Sequence, residues 1–242
     1  MHRRRRWRAR LGAPAAALAL ALSLGGCTSP GTTQPQQTPS GGAAALLATL
    51  AVKGRAPTTG YDRDEFGPAW SDNTDDLFGH NGCDTRNDIL RRDLRAITVK
   101  PGTHGCTVLT GTLHDPYTGS TISFRRGQRT SARVQIDHVV ALADAWQTGA
   151  QYWDETKRQA LANDPLELLA VDGPANQSKG AGDAASWLPP AKAFRCAYVA
   201  RQVAVKARYG LWVTAAEHDA IARVLSTCPG QPVSTGDRPI SG

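Results

Sequence analysis

Apolar and polar positions along the chain follow two periods, one helical and one alternating. Ala43 to Val52 carries apolar residues at helical spacing and predicts a short helix. Tyr61 to Gly82 has no period, but Phe66, Trp70 and Phe78 can pin it to a core. Asp84 or Thr85 can cap a helix reaching Arg95, with Ile89, Leu90 and Leu94 turned inward. Cys106 to Leu113 and Ser120 to Phe124 are β-rich and flank the turn Asp115-Pro116-Tyr117-Thr118-Gly119, which predicts a hairpin. Arg133 to Val140 predicts a strand, and Ala141 to Thr148 a helix ended by Gly149. Trp153 to Ala162 predicts another helix, stopped by Asn163-Asp164-Pro165, and Leu166 to Val171 a short apolar strand. Gly173 to Gly182 is a polar loop that can open a short helix. Ala191 to Tyr209 predicts a long helix, and Thr214-Ala215-Ala216-Glu217 is a capping box that starts the last one. Short strands among helices place the chain in the α+β class.

The first residues do not belong to that fold. Residues 1–26 hold six arginines and then the Ala/Leu run Ala13 to Leu24, which is the pattern of an export signal. Leu24-Gly25-Gly26-Cys27 has the form of a bacterial lipoprotein processing site, so Cys27 is expected to carry lipid. Plain secretion is the competing expectation. Residues 27–42 are Thr, Gln, Pro, Ser and Gly and predict a flexible tether. Residues 43–230 are long enough for one domain, and 231–242 predict a disordered tail. Localisation follows: an outward-facing lipoprotein held by its lipid alone, or a secreted protein.

Removing the signal changes the charge. The whole chain is +7, but without the six signal arginines 22 basic residues face 21 acidic ones. The high net charge is therefore no evidence for nucleic-acid binding. Basic residues still cluster, at Arg86 to Arg133 and again at Lys192, Arg195, Arg201, Lys206 and Arg208. Such runs bind phosphate only where a fold gathers them beside a site. Beyond Cys27, four cysteines remain. An exported chain with an even count predicts two disulfides, and sequence proximity favours Cys83–Cys106 and Cys196–Cys228 among the three pairings. No Cys-x-x-Cys spacing supports a zinc site.

The chemistry centres on Asp137-His138, set among Ile136, Val139 and Val140. Burying a carboxylate and an imidazole in a strand is costly unless they are paired, bind a metal or catalyse. If the strand Leu166 to Val171 pairs with it, Asn176 on the following segment can converge with Asp137 as a second oxygen donor, a set that suits Mg²⁺ or Mn²⁺. His138 can then activate a water. Lys179 can hold a phosphate, and Arg86, beside Cys83, can clamp one bidentately.

Val134-Gln135-Ile136-Asp137-His138-Val139-Val140-Ala141-Leu142, Asn163-Asp164-Pro165, Leu168-Leu169-Ala170-Val171 and Asn176-Gln177-Ser178-Lys179-Gly180 together resemble the HNH, or ββα-metal, endonuclease superfamily. Gly82 to Leu90 and Trp187-Leu188-Pro189-Pro190 are similar to exported members that share the C-terminal domain of GmrSD restriction endonucleases. The resemblance implies a ββα core, Asp137 and Asn176 as metal ligands and His138 as general base. The middle HNH position, an Asn that ties the loop around the base, falls here on Glu167, with Asn163 as its possible substitute. Glu cannot donate a hydrogen bond when ionised. The expected function is a monomeric, metal-dependent endonuclease that cuts double-stranded DNA through backbone contacts. The alternative is a non-catalytic surface lipoprotein that binds DNA or an envelope polymer.

Overall fold

The computed structural model describes residues 42–237; the export signal, Cys27 and all of the tether but Gly42 lie outside the described residues. Among the described residues are seven α-helices and five strands. In chain order they are α1 (Ala43–Leu47), α2 (Thr85–Asp93), β1 (Leu94–Val99), β2 (Val108–His114), β3 (Thr121–Arg125), β4 (Val134–His138), α3 (Leu142–Gln147), α4 (Glu155–Asn163), β5 (Leu168–Asp172), α5 (Gly173–Lys179), α6 (Arg195–Tyr209) and α7 (Ala215–Leu225). The fold is α+β, with disulfides Cys83–Cys106 and Cys196–Cys228.

β1, β2 and β3 form one antiparallel sheet. The expected hairpin is its β2–β3 half, paired from Thr110↔Arg125 to His114↔Thr121. The third strand differs from expectation. The helix expected to reach Arg95 ends at Asp93, and Leu94 opens β1 with extended backbone. Ile97, Thr98 and Val99 are β-branched and prefer that geometry.

β4 and β5 pair antiparallel, with Asp137 opposite Leu169 and His138 opposite Leu168. This ribbon is covered on both sides. Val134, Ile136, Leu168 and Ala170 pack with Ile89, Leu90 and Phe124. Leu169 and Val171 pack with Ala175, Tyr198 and Val203 on the other side. The split follows the two-residue period of a strand. α5 continues directly from β5; the Asp172 side chain caps it by accepting from the Ala175 N–H at 2.9 Å. Residues 231–237, expected to belong to a disordered tail, lie against the domain instead. Ala43 N–H donates to the Gln231 carbonyl at 2.8 Å, and Arg92 donates to the Gly236 carbonyl at 3.0 Å.

Two cations of the second basic run are not at the surface, although Lys192 and Arg208 are exposed. Arg201 and Lys206 of α6 are fully buried. Arg201 donates to the carbonyls of Pro165, Leu166 and Leu168, and Arg92 reaches Pro165 and Leu168 from the other side. Lys206 sits between Asp144 and Glu217 at 2.9 Å from each. Arg55 bridges Asp144 at 2.8 Å to Asp183 at 2.6 Å. Burial opposes the Lys206 charge, but the two carboxylates outweigh it and its pKa ends raised. Removing this cation strands buried carboxylates. Lys206→Met should therefore cost about 3–5 kcal/mol in urea unfolding; a loss under about 1 kcal/mol would mean that the carboxylates are compensated elsewhere.

Candidate active site around the β4–β5 ribbon

The alternation that buries the ribbon also separates Asp137 from His138. Asp137 faces α5 and α6, where the Tyr117 hydroxyl donates to Oδ2 at 2.5 Å and Lys179 Nζ to Oδ1 at 2.9 Å. The Lys179 ammonium also donates to the His138 carbonyl at 2.7 Å. Burial raises the Asp137 pKa, while Lys179 and Tyr117 pull it down. Burial, with the Asp137 charge added, holds the Tyr117 hydroxyl well above its usual range. Tyr117 arrives from the β2–β3 turn, which Asp115 organises by accepting from the N–H groups of Tyr117, Thr118 and Asp172. Trp187, Phe194 and Tyr198 surround its ring, at 5.0, 6.1 and 5.6 Å between centroids.

His138 faces the other way. Its Nε2 bonds the Ala162 carbonyl at 3.0 Å, so this nitrogen carries the hydrogen and Nδ1 keeps the lone pair. Trp70 stacks on the ring at 5.9 Å, with 16° between planes. Trp70 does so at φ 61°, a left-handed conformation that costs a bulky residue about 1–2 kcal/mol. Burial, and after it the Arg63 charge, lowers the His138 pKa to about 3 against the pull of the Ala162 carbonyl. The imidazole is neutral at physiological pH. It lines a cleft of about 60 Å³ together with Arg63, Asp64, Gly67, Trp70 and Asn163.

Three expected site residues stand elsewhere than the sequence placed them. Asn176 does not meet Asp137: its amide donates to Gln135 Oε1 at 2.9 Å, two residues earlier on the strand. Lys179, expected at a phosphate, is buried on Asp137, because one turn of α5 beyond Asn176 matches two residues of β4 beyond Gln135. Arg86 is half-buried and donates to the Val134 carbonyl at 3.3 Å where β4 begins. Burial, with Arg126 nearby, lowers its pKa. Tyr117, Trp70 and Arg63 went unread as site residues. Tyr117 looked like one residue of a turn, and Trp70 like a core anchor of an irregular stretch.

A second acidic group lies behind α3. Asp144, Asp183 and Glu217 approach one another closely enough to hold a metal ion. Lys206 and Arg55 already supply the positive charge there. Burial leads in pushing Glu217 up to about 7.

Glu167 ties the loop after β4. Its backbone carbonyl accepts from Val139 N–H at 2.9 Å and its Oε2 from Val140 N–H at 3.1 Å. The side chain is fully buried, and burial holds its pKa well above the carboxylate range. Its Oε1 has no hydrogen-bond partner among the described residues, so the side chain ties the loop through the Val140 N–H alone and the deficit against Asn stands. Asn163, at the end of α4, ties only its own helix, donating to the Gln159 carbonyl at 2.9 Å. A raised folded pKa means that the Glu167 contribution is complete below its unfolded value and is lost as pH rises toward the folded one. Glu167→Gln has no proton to lose. Its unfolding free energy should therefore gain on wild type between pH 5 and 8, by up to about 1.4 kcal/mol per pH unit. A gap that stays flat across that range would show that Glu167 is ionised in the folded state.

Residues 84–224, more than half of the chain, match the family described as GmrSD restriction endonucleases, C-terminal domain. An uncharacterized secreted protein of Arthroderma benhamiae is 36% identical over 197 residues, covering 80% of this chain and 89% of that one. No solved structure matches. The ribbon, its following helix and the cleft all fall within the matched region or beside it, and the chain belongs to the family of the GmrSD restriction endonuclease C-terminal domain.

Proposed function

We propose that the protein is an HNH-type endonuclease that hydrolyses DNA phosphodiester bonds outside the cytoplasm with weak sequence preference. The carrying observation is His138: neutral, oriented by the Ala162 carbonyl, and set in a cleft. Its Nδ1 lone pair is free to accept a proton from water, and the negative charge of a bound phosphate would have to raise its pKa from about 3 toward neutral for it to do so efficiently. The family match supports a nuclease, and the likeness to a secreted protein supports export. Lipid on Cys27 would hold the domain to the outer face of a membrane. A single chain carries every group named.

The expected Mg²⁺ or Mn²⁺ on Asp137 and Asn176 does not fit this arrangement. The positive charge on Asp137 is the Lys179 ammonium, and Asn176 is engaged with Gln135. A divalent ion about 4 Å from that ammonium would be repelled by about 8 kcal/mol at an effective dielectric of about 20. Asp137 and Lys179 fix the strand end, Ala162 fixes the base tautomer, and Trp70 walls the ring from bulk water. The buried Lys179–Asp137 pair also favours the competing reading, a non-catalytic surface protein that binds DNA or an envelope polymer.

Purified mature protein on supercoiled plasmid separates the two. The nuclease predicts nicking by wild type, in Mg²⁺, Mn²⁺ or EDTA, that His138→Ala reduces by at least about 10²-fold. Equal nicking by both proteins would refute His138 as base. A mobility shift in EDTA without nicking under any condition would establish the binding protein instead.

A further inference from the structure

We propose that Arg63 grips the scissile phosphate in front of His138, and that the unpaired Oδ1 of Asn163 seats the attacking water. The inference rests on the nuclease reading and names the residues that deliver its substrate. Arg63 opens a short 3-10 turn, Arg63–Phe66. That turn is fixed at both ends. The Asp62 side chain accepts from Asp64 N–H at 3.0 Å, and Phe66 is buried. The Arg63 side chain is left exposed, and among the described residues its guanidinium has no hydrogen bond or ion pair. Arg86, Arg92, Arg126, Arg158 and Arg201 donate to carbonyls or carboxylates, whereas Arg63 shares its unengaged state with other exposed arginines and differs from them in lining the His138 cleft.

Three further observations place a phosphate there. The Arg63 charge reaches both Asp137 and His138, which lie on opposite faces of β4. The cleft of about 60 Å³ that Arg63 and His138 share has room for about two water-sized groups, enough for one phosphate oxygen and the attacking water. Asn163 lines the same cleft and is buried, with Nδ2 committed to Gln159 and Oδ1 without a partner. A buried acceptor left unpaired costs about 1–3 kcal/mol, and a water donating to it recovers that cost. Asp64 brings one carboxylate to the rim, so the monoanionic phosphodiester is held only where the Arg63 fork outweighs that repulsion.

The water oxygen bonds to phosphorus while one of its protons passes to His138 Nδ1. The bond from phosphorus to the 3′ oxygen breaks, and that oxygen leaves with the electron pair and takes a proton from solvent. Arg63 holds two non-bridging oxygens throughout, a bidentate grip that Lys cannot reproduce.

The test compares full mature wild type with Arg63→Gln, Arg63→Lys and Arg129→Gln on plasmid and on a labelled duplex, with inorganic phosphate as inhibitor. Arg129 is exposed and outside the cleft, so its variant controls for loss of one positive charge. Arg63→Gln should lower kcat by on the order of 10²–10³-fold, and phosphate inhibition should weaken by at least about tenfold. Arg63→Lys should recover part of both, Arg129→Gln should keep both, and all thermal midpoints should match wild type. Arg63→Gln that cleaves like wild type, or that keeps full phosphate inhibition, would overturn the proposal while active wild type and inactive His138→Ala left the nuclease reading standing. Wild type that neither nicks nor binds phosphate would overturn both.

Discussion

A two-stranded ribbon buried on both faces must find donors for the backbone carbonyls of the turn that enters it, and the domain is arranged around that constraint. β5 is covered along nearly its whole length. The turn that leads into it, Pro165 to Leu168, would bring bare carbonyls into the core. Two arginines, Arg92 from α2 and Arg201 from α6, supply the donors. With that turn held, Glu167 can hold the loop after β4, and the Ala162 carbonyl stands where it meets His138. An orphaned buried carbonyl costs about 1–3 kcal/mol, so three or four of them would cancel most of a domain's stability. Buried arginine here is what permits a polar site on a ribbon that otherwise reads as core.

Much of this was legible. Periodicity gave β4 and β5, and capping chemistry gave α2 and α7, because local sequence decides those features. Thr214 and Glu217 form the expected capping box. β1 was not legible: Leu94 follows a good helix directly, and only pairing with β2 turns Leu94–Val99 into a strand. Asp137 and His138 stood out because both are polar in an apolar run. Which face each would take followed from period two, but what waited there did not. Tyr117 lies twenty residues away, inside a turn, and Ala162 contributes only a backbone carbonyl, which no side-chain pattern reports.

Charge was the least legible property. A run such as Arg201 to Arg208 looks like a solvated basic face. Two of its cations instead neutralise or cap buried acceptors, and Arg208 pairs with Asp76 at 2.6 Å. Nothing in the pattern singles out Arg63, which lies among Asp62, Asp64 and Glu65. In the fold it is the arginine left unengaged beside the imidazole. Position in the fold, not density along the chain, separates a structural cation from a ligand-binding one.

The two disulfides carry a consequence for stability. Cys83–Cys106 closes 23 residues and Cys196–Cys228 closes 32. Each loop of that length is worth about 3–4 kcal/mol to the folded state. In a reducing compartment neither forms, and a domain of ordinary stability would keep little of its margin. The same chain is thus a looser domain wherever thiols stay reduced and a firm one wherever they oxidise.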